Sequence, residues 1–131
     1  MTLVTSLYAA ALTALYILLS INVIRGRRRH SLALGDGGVD DMKPRIRAHA
    51  NFAEYAPLFL ILLALAEYQG LAKSAVHALG IAFSTARLAH AYGLIIAETR
   101  HFWFTPRVAA MGTTFTCLAI LSGVLVSQSI F

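Results

Sequence analysis

RIRAHANFAEYAPLFL, Arg45 to Leu60, carries Arg47, Asn51 and Glu54 in the first half of an apolar run that continues to Tyr68. In an α-helix, offsets of 0, +4 and +7 fall on one face. A charge at mid-bilayer costs at least ~2.5 kcal/mol, so such a face has to meet partner helices, water or a ligand instead of lipid. This stretch therefore predicts a membrane-spanning helix that carries a polar site.

The rest of the chain agrees. Its 131 residues are 58% hydrophobic and its mean hydropathy is +0.69, well outside soluble domains and enough for one domain, 1–131. Four helices are expected, roughly over 3–24, 45–68, 76–97 and 106–127, each near the ~20 residues that cross the hydrocarbon core. The runs are long, rich in Leu and Ala and free of turn signals, which excludes a strand-based barrel. The first run has no basic residues before it and a basic cluster after it, so it reads as a permanent helix and not as a cleaved signal. The expected fold class is an all-α integral membrane four-helix bundle.

Charge sets the orientation. Of the eleven Lys and Arg residues, Arg25, Arg27, Arg28, Arg29, Lys43, Arg45, Arg100 and Arg107 lie in or beside the first and third loops, against Lys73 in the second. By the positive-inside rule, loops one and three face the cytoplasm and both chain ends face the other side. The run RGRRRH directly follows a helix, so it is assigned to orientation and acidic lipid, with no nucleic-acid role. The single cysteine, Cys117, lies in the middle of the last helix and reads as a packing residue.

In the first loop, GDGG at 35–38 is a turn, and Asp40 or Asp41 is expected to cap helix two, with Pro44 in its first turn. No Lys-Ser/Thr follows the glycines, so they are not a phosphate loop. A short second loop makes helices two and three antiparallel neighbours. In the third loop, Phe102, Trp103 and Phe104 mark the bilayer edge, and Thr105-Pro106 is an N-cap and N1 pair that puts Arg107 in the first turn of helix four. Helices one and four carry small residues, among them Ala9, Ala10, Ala11, Ala14, Ala109, Ala110, Gly112 and Gly123, which permit close helix approach.

Helix three adds Arg87 and His90, one turn apart. Two roles are open for Glu54 and Arg87, an ion pair between helices two and three or contact with a ligand. Arg47 and Arg107, near helix starts, can snorkel to the interface or bind. His49 falls opposite Asn51 and is expected to pack or hydrogen-bond between helices. Arginine exceeds carboxylate in this set, which describes a pocket for an acidic ligand: Asn51 suits an amide, Glu54 an ammonium, and the start of helix four offers free amide protons beside Arg107. A small peptide fits that chemistry.

LGDGG, RAHANFAEY and RLAHAYG, in this order and spacing, resemble the membrane-associated proteins in eicosanoid and glutathione metabolism, the MAPEG family, in its small bacterial branch. The resemblance covers nearly the whole chain. It implies a homotrimer of four-helix subunits that binds glutathione between neighbours, near the cytoplasmic side. It further implies glutathione contacts from Arg47, Asn51, Glu54 and Tyr55 on helix two, from Arg25 at the end of helix one, and from Arg87 and His90 on helix three. Arg107 matches the arginine credited with stabilising the glutathione thiolate, the catalytic role. The chain departs from the pattern at Leu94, where some members carry a ligand-binding tyrosine, and at Val108, where the prostaglandin synthase branch has serine; Tyr92 faces another direction.

The function expected is that of a glutathione transferase or peroxidase in detoxification, with glutathione as co-substrate, a lipophilic electrophile or hydroperoxide as partner, and no metal. Two alternatives stand beside it: a non-catalytic lipid- or peptide-binding protein of the same fold, and a small multidrug exporter using Glu54.

Overall fold

The structure is a computed structural model and describes residues 4–97 and 106–130, apart from the side chain of Ala97. The expectations for Arg100, for Phe102, Trp103 and Phe104, and for Thr105 as a cap lie outside the described residues. Four α-helices form: α1 (Thr5–Arg29), α2 (Met42–Tyr68), α3 (Lys73–Tyr92) and α4 (Pro106–Ile130). A π-helical turn, Gly93–Ala97, extends α3. All four are long and apolar enough to cross a membrane, and no strand occurs among the described residues.

The helices outrun the apolar segments that announce them. α1 continues five residues past Ile24 because arginine is a good helix former and the basic residues 27–29 complement the negative C-terminal dipole. It closes where Ser31 takes a left-handed φ of 54° and Leu32 N–H donates to Arg27 O at 2.9 Å, a Schellman-type stop usually made with glycine. α2 ends in the same way on Gly70, at φ 102°, with Leu71 N–H on Ala66 O at 2.9 Å. Here the glycine in the sequence marks the stop.

The expected cap of α2 is corrected. Asp41 precedes the helix, but it is itself in the helical region and its carboxylate makes no capping bond. It is turned instead toward Arg45, whose Nε and Nη2 both donate to it at 3.2 Å. A guanidinium offers two charge-assisted bonds where the helix end offers neutral amides.

α2 and α3 form the middle of the bundle. α1 packs on both, α4 packs on both, and α1 and α4 do not touch among the described residues. The core between them includes Leu12, Phe59, Leu63, Val76, Phe83 and Leu121, and Phe59 stacks on Phe83 with centroids 3.8 Å apart. Gly80 lets α1 approach α3, since a Cβ there would lie 2.5 Å from the Tyr8 ring. The small residues of helices one and four mostly face outward: Ala10, Ala11, Ala14, Ala109, Gly112 and Gly123 are exposed, so they do not bring these two helices together. Leu18, Ile81 and Val126 are also exposed, the outward apolar surface that a bilayer would cover.

Both ends of α1 are fastened to α2. At its start, Glu67 Oε1 accepts from Val4 N–H at 2.6 Å, and Oε2 accepts from Thr5 N–H at 2.8 Å and from the Thr5 hydroxyl at 2.7 Å. A buried carboxylate thus satisfies amides that have no intrahelical partner, at the positive end of the helix. At its far end, Arg45 Nη1 donates to Asn22 Oδ1. His49 bonds to Ser20 Oγ at 3.0 Å and lies 4.9 Å from the Tyr16 ring, an interhelical contact as the sequence suggests.

Candidate functional site

The polar residues divide into an inner hub and an outer cavity. Arg87 is the centre of the hub and only 2% exposed. Its Nη1 donates to Asn51 Oδ1 at 2.8 Å, and its Nη2 donates to Thr114 Oγ1 and lies 3.6 Å from Met111 Sδ. The rings of Tyr55 and Phe83 each lie 5.6 Å from its guanidinium carbon, within cation–π range. Nε has no partner. The hub therefore joins α2, α3 and α4 through neutral acceptors and π faces, and the ion pair with Glu54 that the sequence leaves open does not form. Neighbouring His90 is buried.

Glu54 pairs within its own helix, accepting from Arg47 Nη1 at 3.0 Å. The Arg47 and Glu54 side chains are 57% and 46% exposed, respectively, in the single chain. Hence the offsets 0, +4 and +7 share a face, but Asn51, at its inner edge, turns to Arg87 while Arg47 and Glu54 point outward.

Above the hub lies a cavity of about 500 Å³ lined by Asp40, Asp41, Lys43, Pro44, Arg47, Leu94, Ile95 and Arg107. Three elements build it. The first turns of α2 bring the charged wall, the π turn brings the apolar wall of Leu94 and Ile95, and α4 brings Arg107. The backbone of Arg107 is seated against Gly93, where a Cβ would lie 3.1 Å from its N. Lys43 and Arg47 also line an adjoining cavity of about 540 Å³ with Gly35, Asp36, Ile46 and Ala50. The volumes suit a small ligand, for which sites of ~300–1,000 Å³ are usual. Outside the membrane-spanning segments, the Arg45 guanidinium beside Asp41 holds its carboxyl below the usual value of 3.8, with His30, 3.5 Å away, acting in the same direction.

Of the residues expected to form the site, Arg47 and Arg107 line the cavity together. Glu54 reaches it through Arg47. Asn51, Tyr55, Arg87 and His90 lie below it in or beside the hub, and Arg25 is exposed on α1 and does not line it. Asp40, Asp41 and Lys43, read from sequence as a loop and a helix start, form its charged rim. The signal for them was their place one to two turns before Arg47. Leu94 is buried and faces the cavity, whereas Tyr92 and Val108 are exposed. Glu67 was missed altogether, although a second carboxylate on an apolar helix is itself a signal.

The comparisons agree with this architecture. The profile of the MAPEG family matches residues 5–127. Inner membrane protein YecN of Escherichia coli strain K12 is 33% identical over 118 residues, covering 90% of this chain and 86% of that protein. The protein of the same name in Escherichia coli O6:H1 strain CFT073 matches equally. With its four membrane-length helices and a family match over almost all of its length, this chain belongs to the MAPEG family.

Proposed function

We propose that this protein binds glutathione in the cavity between α2, the π turn and α4, and lowers the pKa of its thiol for attack on a lipophilic electrophile or hydroperoxide. The observation that carries this reading is the pairing of Arg47 and Arg107 on one cavity that also has an apolar wall, Leu94 and Ile95. Lys43, Arg47 and Arg107 suit the two carboxylates and the thiolate; Asp40, beside them, suits the ammonium. A free thiol near pKa ~8.5 is a few per cent ionised at neutral pH, and lowering it by ~2 units, about 2.7 kcal/mol, makes thiolate the main form. In this reading Arg107 and the first amides of α4 hold that negative charge, and the thiol proton passes to water. The sulfur lone pair then forms the bond to the electrophilic carbon as the bond from that carbon to its leaving group breaks and the leaving group departs with the electron pair. Alternatively it attacks a hydroperoxide oxygen as the O–O bond breaks and the alkoxide takes a proton from water. The lipophilic partner arrives through the bilayer along Leu94 and Ile95.

The same reading takes the chain as a homotrimer in a bacterial inner membrane, with loops one and three cytoplasmic. Glu54 stands twelve residues into α2, ~18 Å along the helix at ~1.5 Å per residue, with its side chain half exposed beside Arg47. An ion pair at that depth calls for cover other than lipid, and a second copy supplies it. The name of the Escherichia coli relative supports the membrane. Reporter fusions to the C-terminus, active only outside the cytoplasm, test the orientation.

The deciding experiment is a glutathione titration of the detergent-purified protein, followed by ultraviolet thiolate absorbance with S-methylglutathione as the control that cannot ionise. A saturable thiolate signal that Arg107→Ala abolishes supports the proposal; a signal unchanged in Arg107→Ala removes the role given to Arg107. A second reading, peptide binding without turnover, is favoured by one observation: among the described residues, the cavity lining offers no hydroxyl, thiol or imidazole. Competition by S-methylglutathione with no thiolate signal would select it. Export through Glu54 is disfavoured, because a carboxylate bonded to Arg47 is poorly suited to carry protons or cations.

A further inference from the structure

Arg87 is a buried cation whose hydrogen-bond partners are neutral. Asn51 and Thr114 accept from its guanidinium through neutral oxygens, and Nε has no partner. Nη2 bears two hydrogens. One goes to Thr114 and the other faces the thioether of Met111, 3.6 Å away, a weak acceptor by side-chain standards. Arg87 enters none of the ion pairs among the described residues. An oxygen placed on Met111 Sδ would therefore meet a charged donor that is only weakly engaged.

Met111 is also placed to be reached. It is half-buried and shares its side of α4 with Val108, three residues before it, and Phe115, four after it. Both of these are exposed, so the outer edge of Met111 borders the apolar surface that a bilayer would cover. It stands five residues into α4, ~8 Å from the helix start, in the shallow part of the hydrocarbon. Met42 differs on each count: it is fully buried, with its sulfur packed against Gly26 of α1.

We propose that Met111 is a modification site, at which a hydroperoxide converts the thioether to the sulfoxide and Arg87 Nη2 holds the new oxygen. A sulfur lone pair attacks the terminal oxygen of the hydroperoxide, and the S–O bond forms as the O–O bond breaks. The other oxygen leaves with the electron pair, takes up the proton of the transferred oxygen and departs as an alcohol. Sulfur loses two electrons and the peroxide gains them, so no further reactant is needed. The product oxygen, one bond from Sδ, comes within reach of a charge-assisted hydrogen bond of ~2.8 Å from Nη2. Oxidation of a methionine ordinarily puts a polar group into apolar packing and loosens it. Here it gives the guanidinium the strong acceptor it lacks and joins α3 to α4 more tightly. The hydroperoxide acts only as oxidant, so the site stands whether or not the cavity binds glutathione.

The test treats the full chain in detergent with cumene hydroperoxide, reads oxygen uptake at each methionine by peptide mass spectrometry, and follows thermal unfolding of the oxidised protein. Met111 should gain one oxygen well ahead of Met42. The unfolding midpoint should rise by about 4 °C, the shift expected when a charge-assisted hydrogen bond replaces a weak one. Met111→Leu, treated in the same way, should show no rise, which separates the effect from oxidation at Cys117. Uptake at Met42 before Met111 overturns the proposal, as does a midpoint that stays or falls on oxidation, or a rise that persists in Met111→Leu. A second comparison needs no oxidant. Glutamine carries an oxygen on the atom that corresponds to Sδ, so Met111→Gln should unfold at a higher temperature than Met111→Leu, the reverse of the order expected beside lipid. A leucine variant as stable as the glutamine variant, or more so, overturns the hold by Arg87.

Discussion

Two arginines on neighbouring helices do opposite things. Arg87 is closed off, its guanidinium bonded to Asn51 and Thr114 and flanked by two aromatic rings. Arg47 stands open, donating to the Glu54 carboxylate and lining a cavity. The carboxylates divide in the same way: Glu67 accepts three hydrogen bonds in the interior, while Glu54 is half exposed. An intramembrane charge can thus hold helices together or wait for a ligand, and the residue type does not say which. What separates the two cases is whether the surrounding helices already enclose the group and bond most of it.

The largest expected effect tests the closed set. Arg87→Ala leaves Asn51 and Thr114 without their donor and opens a cavity at the junction of three helices, costing on the order of 3 kcal/mol. Heat unfolding in detergent should show it, with or without glutathione; an unchanged midpoint would mean that the hub does not hold the bundle. Arg107→Ala should do the reverse, raising the pKa of a bound thiol by ~2 units, about 100-fold in the ratio of thiolate to thiol, at little cost in stability. If it lowers the unfolding midpoint as far as Arg87→Ala does, the division between holding and binding fails.

Smaller changes sharpen the contrast among the carboxylates. Glu67→Gln keeps the shape but removes the charge from the α1 amides, and should cost about 1.5 kcal/mol, measured against Glu54→Gln, which should cost less. The smallest effect belongs to Asp41. Its folded pKa lies below the ordinary 3.8, so its contribution is present at pH values above that ordinary value and is lost as pH falls through the folded one. The difference in stability between wild type and Asp41→Asn should therefore be small at neutral pH and vanish in acid; a difference that grows in acid would contradict the assignment.

The sequence yields four helices because span length and hydropathy are properties of each segment alone. Their ends shift by up to five residues, since arginine-rich turns remain helical outside the apolar core, as Arg25 to Arg29 do. That Arg47 and Arg107 meet in one cavity was legible from their matching places near helix starts on the same side. The partner of Arg87 was not, because Glu54 and Asn51 are both within reach by spacing, and only packing decides that Thr114 of α4 completes the set. The cap of α2 failed for a related reason: the preference of aspartate for helix starts is weaker than a guanidinium one turn away.

The double fastening of α1 bears on how the chain is assembled. Both fasteners, Glu67 and Arg45, are supplied by α2, and both are present once Tyr68 has been made. The first hairpin can therefore set its own register during synthesis, before α3 emerges. Tyr8 is then already positioned for His77, to which its hydroxyl bonds at 2.8 Å, so the second hairpin joins a template whose alignment is already fixed.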